Sequence, residues 1–346
     1  MRDKQTATFH AILAAICYGI SVPMTKLLLR EVPPVLMAAL LYLGAGAGMS
    51  AVSLLRGKKI REAKITRKDL PYIIGIIALD IAASILMVFG LSMATSATAS
   101  LINNFEIVAT AMIALIVFKE AVGKRMWVTI VLVTTASVIL SVEDFDNLSI
   151  SLGAILILLA CVCWGMENNC TRMLSLKDPL QIVMIKGFGS GLGSLAIAVA
   201  LSELSADLIY ILLSLLLGFV AYGLSVYFYI LAQRQLGAAR TSAYYAFAPF
   251  IGVGLSFIVF GQQFTAPFWI GLAIMVAGSY FAVSENHNHQ HTHDVLEHEH
   301  RHNHEDGHHN HMHESSVERE HSHIHAHVNI THAHKHTPDL HHIHTH

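Results

Sequence analysis

Residues 97–118 read Ala-Thr-Ala-Ser-Leu-Ile-Asn-Asn-Phe-Glu-Ile-Val-Ala-Thr-Ala-Met-Ile-Ala-Leu-Ile-Val-Phe. A helix needs about 20 mostly apolar residues to cross a bilayer, and this stretch supplies them. Its anomaly is Glu106. A charge at bilayer mid-depth costs at least ~2.5 kcal/mol and is kept where it faces a cavity or a partner. The carboxyl stands roughly 18 Å of helical rise from the Phe118 end, near mid-membrane. Asn103 lies one turn before it on the same face and Thr110 one turn after. Such a stripe can bind a polar substrate, and a carboxyl kept from water can load and release a proton. The competing reading is a protonated or hydrogen-bonded Glu106 packed silently between helices.

The rest of the chain is the same material. With 54% hydrophobic and 13% charged residues in 346 positions, it is too apolar for a soluble domain, where charged residues make up about 25%. Ten stretches are long enough to span: 9–29, 34–55, 71–92, 97–118, 123–142, 150–171, 179–202, 208–232, 239–261 and 265–283. The N-terminal run lacks a small-residue cleavage site and reads as a first helix. With the N-terminus placed in the cytoplasm, every loop Lys and Arg except Arg30 falls on the cytoplasmic side, while the opposite loops carry Glu143, Asp144, Asp146, Glu203 and Asp207. That asymmetry sets the orientation and places the C-terminal tail in the cytoplasm as well. The four cysteines, Cys17, Cys161, Cys163 and Cys170, lie in apolar segments and form no disulfide framework.

The second half repeats the first. Cys17-Tyr18-Gly19 meets Cys163-Trp164-Gly165, Lys26 meets Arg172, and Pro33 meets Pro179; farther on, Ile116-Val117-Phe118 meets Ile258-Val259-Phe260 and Trp127 meets Trp269. Each half holds five spans, an odd number, so the halves insert with opposite orientation. Inverted repeats of this kind mark secondary transporters with a mid-membrane site where the halves meet. The predicted fold is an all-α integral membrane protein of ten transmembrane helices in two inverted five-helix repeats, 9–142 and 150–283, followed by a disordered His-rich tail, 285–346. Gly44, Gly46 and Gly48 in span two, with Gly187, Gly189, Gly191 and Gly193 in span seven, read as close helix contacts.

Tyr18-Gly19, Lys26 and Pro33-Pro34, their echo in Trp164-Gly165, Arg172 and Pro179, and Phe118-Lys119-Glu120 closing span four together resemble the drug/metabolite transporter superfamily, in its ten-helix form with two EamA-like domains. The resemblance covers roughly 9–283. It implies an exporter of metabolites, amino acids or drugs, proton-coupled, with a cavity lined partly by the fourth and ninth helices. Two departures stand out. The family often carries a proline mid-span in both of those helices; Pro249 fits in span nine, while Glu106 takes that place in span four. Gln262 or Gln263 replaces an acid after the ninth helix.

Several further side chains can carry chemistry. Asp80 is a second mid-span acid, able either to share a cavity with Glu106 or to be paired. Glu167 and Lys186 lie at similar depth on spans six and seven and read as an interhelical ion pair or part of a gate. Lys26 is expected to snorkel to the outer interface. Cys163, Glu167 and Cys170 share a helix face that could hold a soft metal, though buried cysteine is ordinary; Asn168 and Asn169 can present amides. Among the aromatics of spans eight and nine, Tyr244 and Tyr245 precede Pro249, where a kinked helix frees backbone groups.

Only His10 precedes the tail, which holds the other histidines in His-x-His runs: His287, His289, His291 and His293; His298, His300, His302 and His304; then, farther on, His321, His323, His325 and His327. Neutral imidazoles on a flexible chain can assemble four-coordinate sites for Zn, Ni, Co or Cu.

Three functions fit: a proton-coupled exporter of a small metabolite with a metal-binding cytoplasmic tail, a transporter of divalent Ni, Co or Zn, or a membrane metal sensor without turnover. No nucleophile motif, phosphate loop or metalloprotease pattern points to an enzyme, and no cofactor is required. The implied location is the inner (plasma) membrane, the implied partners are lipids, a small molecule or ion and divalent metals, not nucleic acid, and the oligomeric state stays open, a homodimer included.

Overall fold

A computed structural model of the chain describes residues 2–56, 65–117, 122–144, 149–174, 177–236, 241, 244–261, 264–283, 288–292, 297–302, 321–326 and 331–335. Eight helices are long and apolar enough to cross a membrane, and two shorter apolar helices complete the set. In chain order we call them spans one (Gln5–Leu28), two (Pro34–Leu55), three (Arg67–Met93), four (Ser96–Val117), five (Lys124–Ser141), six (Leu152–Arg172), seven (Pro179–Ala200), eight (Leu208–Ala232), nine (Ala248–Phe260) and ten (Ala266–Ala282). The fold is all-α and membrane-spanning. Large apolar side chains such as Leu55, Ile116, Val131, Leu208, Ile258 and Trp269 face outward, as a lipid-facing surface requires.

Helix ends follow local chemistry. Thr95 caps span four, its hydroxyl accepting from the Thr98 amide at 3.2 Å. Asp178 accepts from the Leu180 amide at 3.0 Å, with Pro179 preset for the first helical turn. Gly261 ends span nine in the left-handed region, φ 56°. Glu203, from the loop after span seven, accepts from the Val35 amide at 2.9 Å and satisfies a free donor at the start of span two.

The helices pack as an inverted repeat demands. Span two lies against span seven, five against ten, and the first half of four against nine; spans three and six pack together, as do their counterparts eight and one. Each of these pairs maps onto itself or onto another under exchange of the two halves. Small residues make the central contacts. A Cβ on Gly44 would run into the Leu215 carbonyl of span eight, and one on Gly187 into the Gly46 backbone of span two. Gly44→Val therefore forces backbone apart and is expected to lower the thermal unfolding midpoint in detergent, at a cost of at least ~1–3 kcal/mol. Gly254→Val, where a Cβ meets nothing within 4 Å, is expected to leave it unchanged.

Four of the spans are interrupted or altered. Span one has a turn residue at Ile20 between Arg2–Gly19 and Ser21–Leu28. Span eight passes through a π-helical turn, Phe219–Leu224, between Leu208–Gly218 and Ser225–Leu236. Span four, read from the sequence as one helix over 97–118, is two: Ser96–Ile102 and Phe105–Val117, with a turn at Asn103-Asn104. Span nine, read as 239–261, has helical Tyr244 and Tyr245, a turn at Ala246-Phe247, then Ala248–Phe260. The breaks in four and nine stand at matching places in the two halves.

After span ten the described residues form four short strands, Asn288–Thr292 paired with Thr331–Lys335 and Glu297–His302 paired with His321–Ala326. Two-stranded ribbons are marginal in water, so they build no core of their own. His287, His293, His304 and His327 lie outside the described residues, as do Phe118, Lys119, Glu120, Gln262 and Gln263.

Candidate functional site

The break in span four is made by asparagine, not proline. The Asn104 amide bonds back to the Leu101 carbonyl at 3.0 Å, and the Glu106 and Ile107 amides bond to Asn103 and Asn104 at 3.1 Å each. These three-residue steps replace the α-helical ladder and leave the Ile102 carbonyl to the Cys161 thiol of span six, 3.8 Å away. A broken helix survives at membrane depth only where protein encloses it. Asn103 and Asn104 are 5% and 4% exposed.

Glu106 opens the second half-helix and is partly exposed. One carboxylate oxygen accepts from Asn168 Nδ2 of span six at 2.7 Å, and the same amide reaches Thr110 Oγ1 at 3.3 Å. Glu106 and Thr110 thus share one face, with Asn168 as their common partner. Asn103 has its own partner, donating to the Tyr18 hydroxyl of span one at 3.0 Å. Asn169 holds the helices together, bonding to the Gly165 and Thr110 carbonyls at 2.8 and 3.2 Å.

Asp80 does not pair with Glu106. It is fully buried, accepts from the Tyr42 hydroxyl at 2.9 Å, and lies 3.5 Å from the Lys186 ammonium. Lys186 also binds Glu167 at 2.9 Å, and the Thr171 hydroxyl donates to the same Glu167 oxygen. One ammonium therefore bridges two carboxylates on spans three and six. This engagement takes Glu167 away from Cys163 and Cys170, and among the described residues no group of three His, Cys, Asp or Glu side chains could hold a metal.

Tyrosines connect the two carboxyl regions. Tyr42 meets Tyr222 at 5.5 Å between ring centres, Tyr222 meets Tyr18 edge-on at 6.4 Å, Tyr18 stacks on Tyr245 at 5.4 Å, and Tyr245 meets Tyr229 at 5.0 Å. Tyr222 sits in the π-helical turn, a feature frequent at functional sites, within electrostatic reach of both Asp80 and Glu106. Tyr244 has no ring contact with this series among the described residues.

The outer ends differ from expectation in one respect. Lys26 does not simply reach for the interface; its ammonium binds the Leu91 and Ser92 carbonyls at 2.6 and 2.9 Å. It thereby satisfies the C-terminal carbonyls of span three, where a cation also suits the helix dipole.

The profile of the EamA-like transporter family matches residues 5–142 and again residues 151–284. The chain belongs to the EamA-like transporter family. It is a membrane transporter and not an enzyme. It is similar to an uncharacterized transporter of Methanothermobacter thermautotrophicus (strain ATCC 29096 / DSM 1053 / JCM 10044 / NBRC 100330 / Delta H), 26% identical over 289 residues that cover 78% of this chain and 83% of that one. A crystal structure of a protein with 16% sequence identity shares the fold at a TM-score of 0.60, covering 80% of this chain and 96% of that chain.

In this EamA-like transporter, Tyr18 and Trp164 marked the repeat in the sequence without being given a place in the site, and Tyr42 was left out. The signal was in the repeat. Tyr18 and Trp164 hold matching positions in the two halves: Tyr18 accepts from Asn103 within its own half, and Trp164 Nε1 crosses to the Tyr42 hydroxyl of the other half at 3.3 Å.

Proposed function

We propose that this EamA-like transporter is a proton-coupled exporter of a small metabolite, with Glu106 as the carboxyl that exchanges the proton. The observation that carries this reading is the partly exposed Glu106 at the start of a half-helix, held by Asn168 just after a break in span four, a helix whose counterpart, span nine, is broken at the matching place. Discontinuous helices at a repeat interface are where secondary transporters place substrate and coupling ion. The two halves, 9–142 and 150–283, rock about this site in the inner membrane, with both termini in the cytoplasm.

The cycle follows from one carboxyl. Cargo entering from the cytoplasm meets Glu106, which releases its proton to that side. After the halves reorient, a proton from outside reloads Glu106 as cargo leaves, and the neutral carboxyl returns. Asn103, Thr110, Tyr244 and Tyr245 line the path, while the Asp80, Lys186 and Glu167 cluster ties spans three, six and seven on the flank of the site and closes as a gate. Flux into proteoliposomes tests the reading. An imposed proton gradient is expected to drive counter-movement of cargo; cargo flux indifferent to the gradient would refute coupling.

The cytoplasmic tail is a metal buffer in this reading. Its backbone register sets His298 opposite His325, His300 opposite His323 and His302 opposite His321, a spacing that supports shared Zn, Ni, Co or Cu ligation. Zinc titration of the full chain is expected to show several tight equivalents that vanish when residues 285–346 are removed. Retention of them by the truncated chain would place the metal in the membrane body and favour divalent metal as cargo.

A further inference from the structure

The buried charges do not balance. Glu167 and Lys186 each act electrostatically on both Asp80 and Glu106. Lys186 makes its direct contacts with Asp80 and Glu167, at 3.5 and 2.9 Å, and its charge reaches Glu106 from farther off. Around Glu106 stand Asn168 and Thr110, the hydroxyls of Tyr18, Tyr222 and Tyr245, the Cys161 thiol, and the Glu167–Lys186 pair. Among the described residues, Asn168, the side chain that hydrogen-bonds Glu106, brings no positive charge. A partly buried charge gains from a counter-charge beside it, and a cationic cargo would bring one to the ionised Glu106.

The walls choose among cations. Tyr18, Tyr222, Tyr229 and Tyr245 are all partly exposed, and an aromatic face attracts a weakly hydrated organic cation. A divalent Zn, Ni or Co ion would need several His, Cys or carboxylate ligands, and no group of three such side chains stands together among the described residues. A zwitterion would bring its own carboxylate towards a core that already has more acids than bases. We infer that the cargo of this transporter is a monovalent organic ammonium, which replaces the proton at Glu106 while its apolar part lies on the tyrosine wall. The inference rests on the proposed role of Glu106 and adds the chemical class of what is carried.

Three probes on one phenylethyl frame test it: phenethyltrimethylammonium, a fixed cation; phenylalanine, a zwitterion; and 3-phenylpropionate, an anion. With the full chain in detergent, the fixed cation is expected to raise the unfolding midpoint at the lowest concentration, and in proteoliposomes it is expected to move against protons. Glu106→Gln should weaken its apparent affinity at least about tenfold, since removing one member of a buried charge pair is costly. Tyr245→Leu should weaken it about threefold, with Tyr245→Phe close to wild type, because the ring face and not the hydroxyl carries the attraction. Stronger stabilisation by phenylalanine or phenylpropionate, equal affinity in Glu106→Gln, or stabilisation by none of the three would overturn the inference. If the zwitterion or anion moves against protons and Glu106→Gln abolishes that exchange, the cargo class is wrong and the coupling reading stands. If exchange persists unchanged in Glu106→Gln, the coupling reading falls with it.

Discussion

Glu106→Gln is expected to reduce proton-driven flux to the level of protein-free liposomes while leaving the unfolding midpoint close to that of the wild type. Glutamine fills the same space, and its side-chain carbonyl can still accept from Asn168 Nδ2, the 2.7 Å contact that positions Glu106. What it removes is the proton that the carboxyl binds and releases. A substitution that spares the fold and abolishes coupling separates an exchanging acid from a buried structural one. Asn168→Leu gives a graded comparison. It deletes the donor to Glu106 and to Thr110 together, so it should lower flux while proton exchange persists. The assay is a pH-sensitive dye inside the vesicles, read alongside labelled cargo.

Lys186→Met carries the largest expected loss of stability. The ammonium is the counter-charge that both Asp80 and Glu167 touch, and these two carboxylates are 0% and 2% exposed. Removing one partner of a buried ion pair costs about 3–5 kcal/mol because the other charge remains without compensation. Here two charges would remain. The unfolding midpoint in detergent should fall sharply. Combining Lys186→Met with Asp80→Asn and Glu167→Gln should restore most of it, since the neutral trio leaves hydrogen-bonding groups of the same shape. A single Lys186→Met protein as stable as wild type would mean that water or another group solvates the acids.

Much of this architecture was legible because membranes enforce simple rules. Span length, the one-sided Lys and Arg, and the matched Gly, Pro and Trp positions are consequences of hydrocarbon thickness and backbone hydrogen bonding, and they read directly from residues 9–283. The Glu167–Lys186 contact was legible for the same reason, since two opposite charges at one depth have few places to go. The break in span four was not. A proline announces its missing amide, as Pro249 does in span nine, but Asn103-Asn104 interrupts the helix by the bonds its backbone amides choose, and those depend on enclosure by Cys161 and Tyr18. Asp80 stayed open between a cavity shared with Glu106 and a paired state, because sequence gives depth along a helix but not which neighbour each face meets; the structure pairs it with Tyr42 and Lys186. Lys26 shows the same limit: its position near the outer end was evident, whereas its bonds to Leu91 and Ser92 depend on how spans one and three cross. Tyr18 stood out in the sequence only through the repeat and Tyr42 not at all, and it is Tyr222, in the π-helical turn, that brings them into one series.

That a proton is loaded and released at Glu106, inside the break of span four, is tested most directly by infrared titration of the full-length protein in lipid. As pH is lowered, a protonated-carboxyl C=O band should grow in the wild type, be missing by one carboxyl in Glu106→Gln, and shift in Asn168→Leu, where the hydrogen bond to Glu106 is gone. A Glu106→Gln difference spectrum that superimposes on the wild-type one would show that Glu106 does not exchange its proton, and the coupling mechanism would have to be sought elsewhere in the protein.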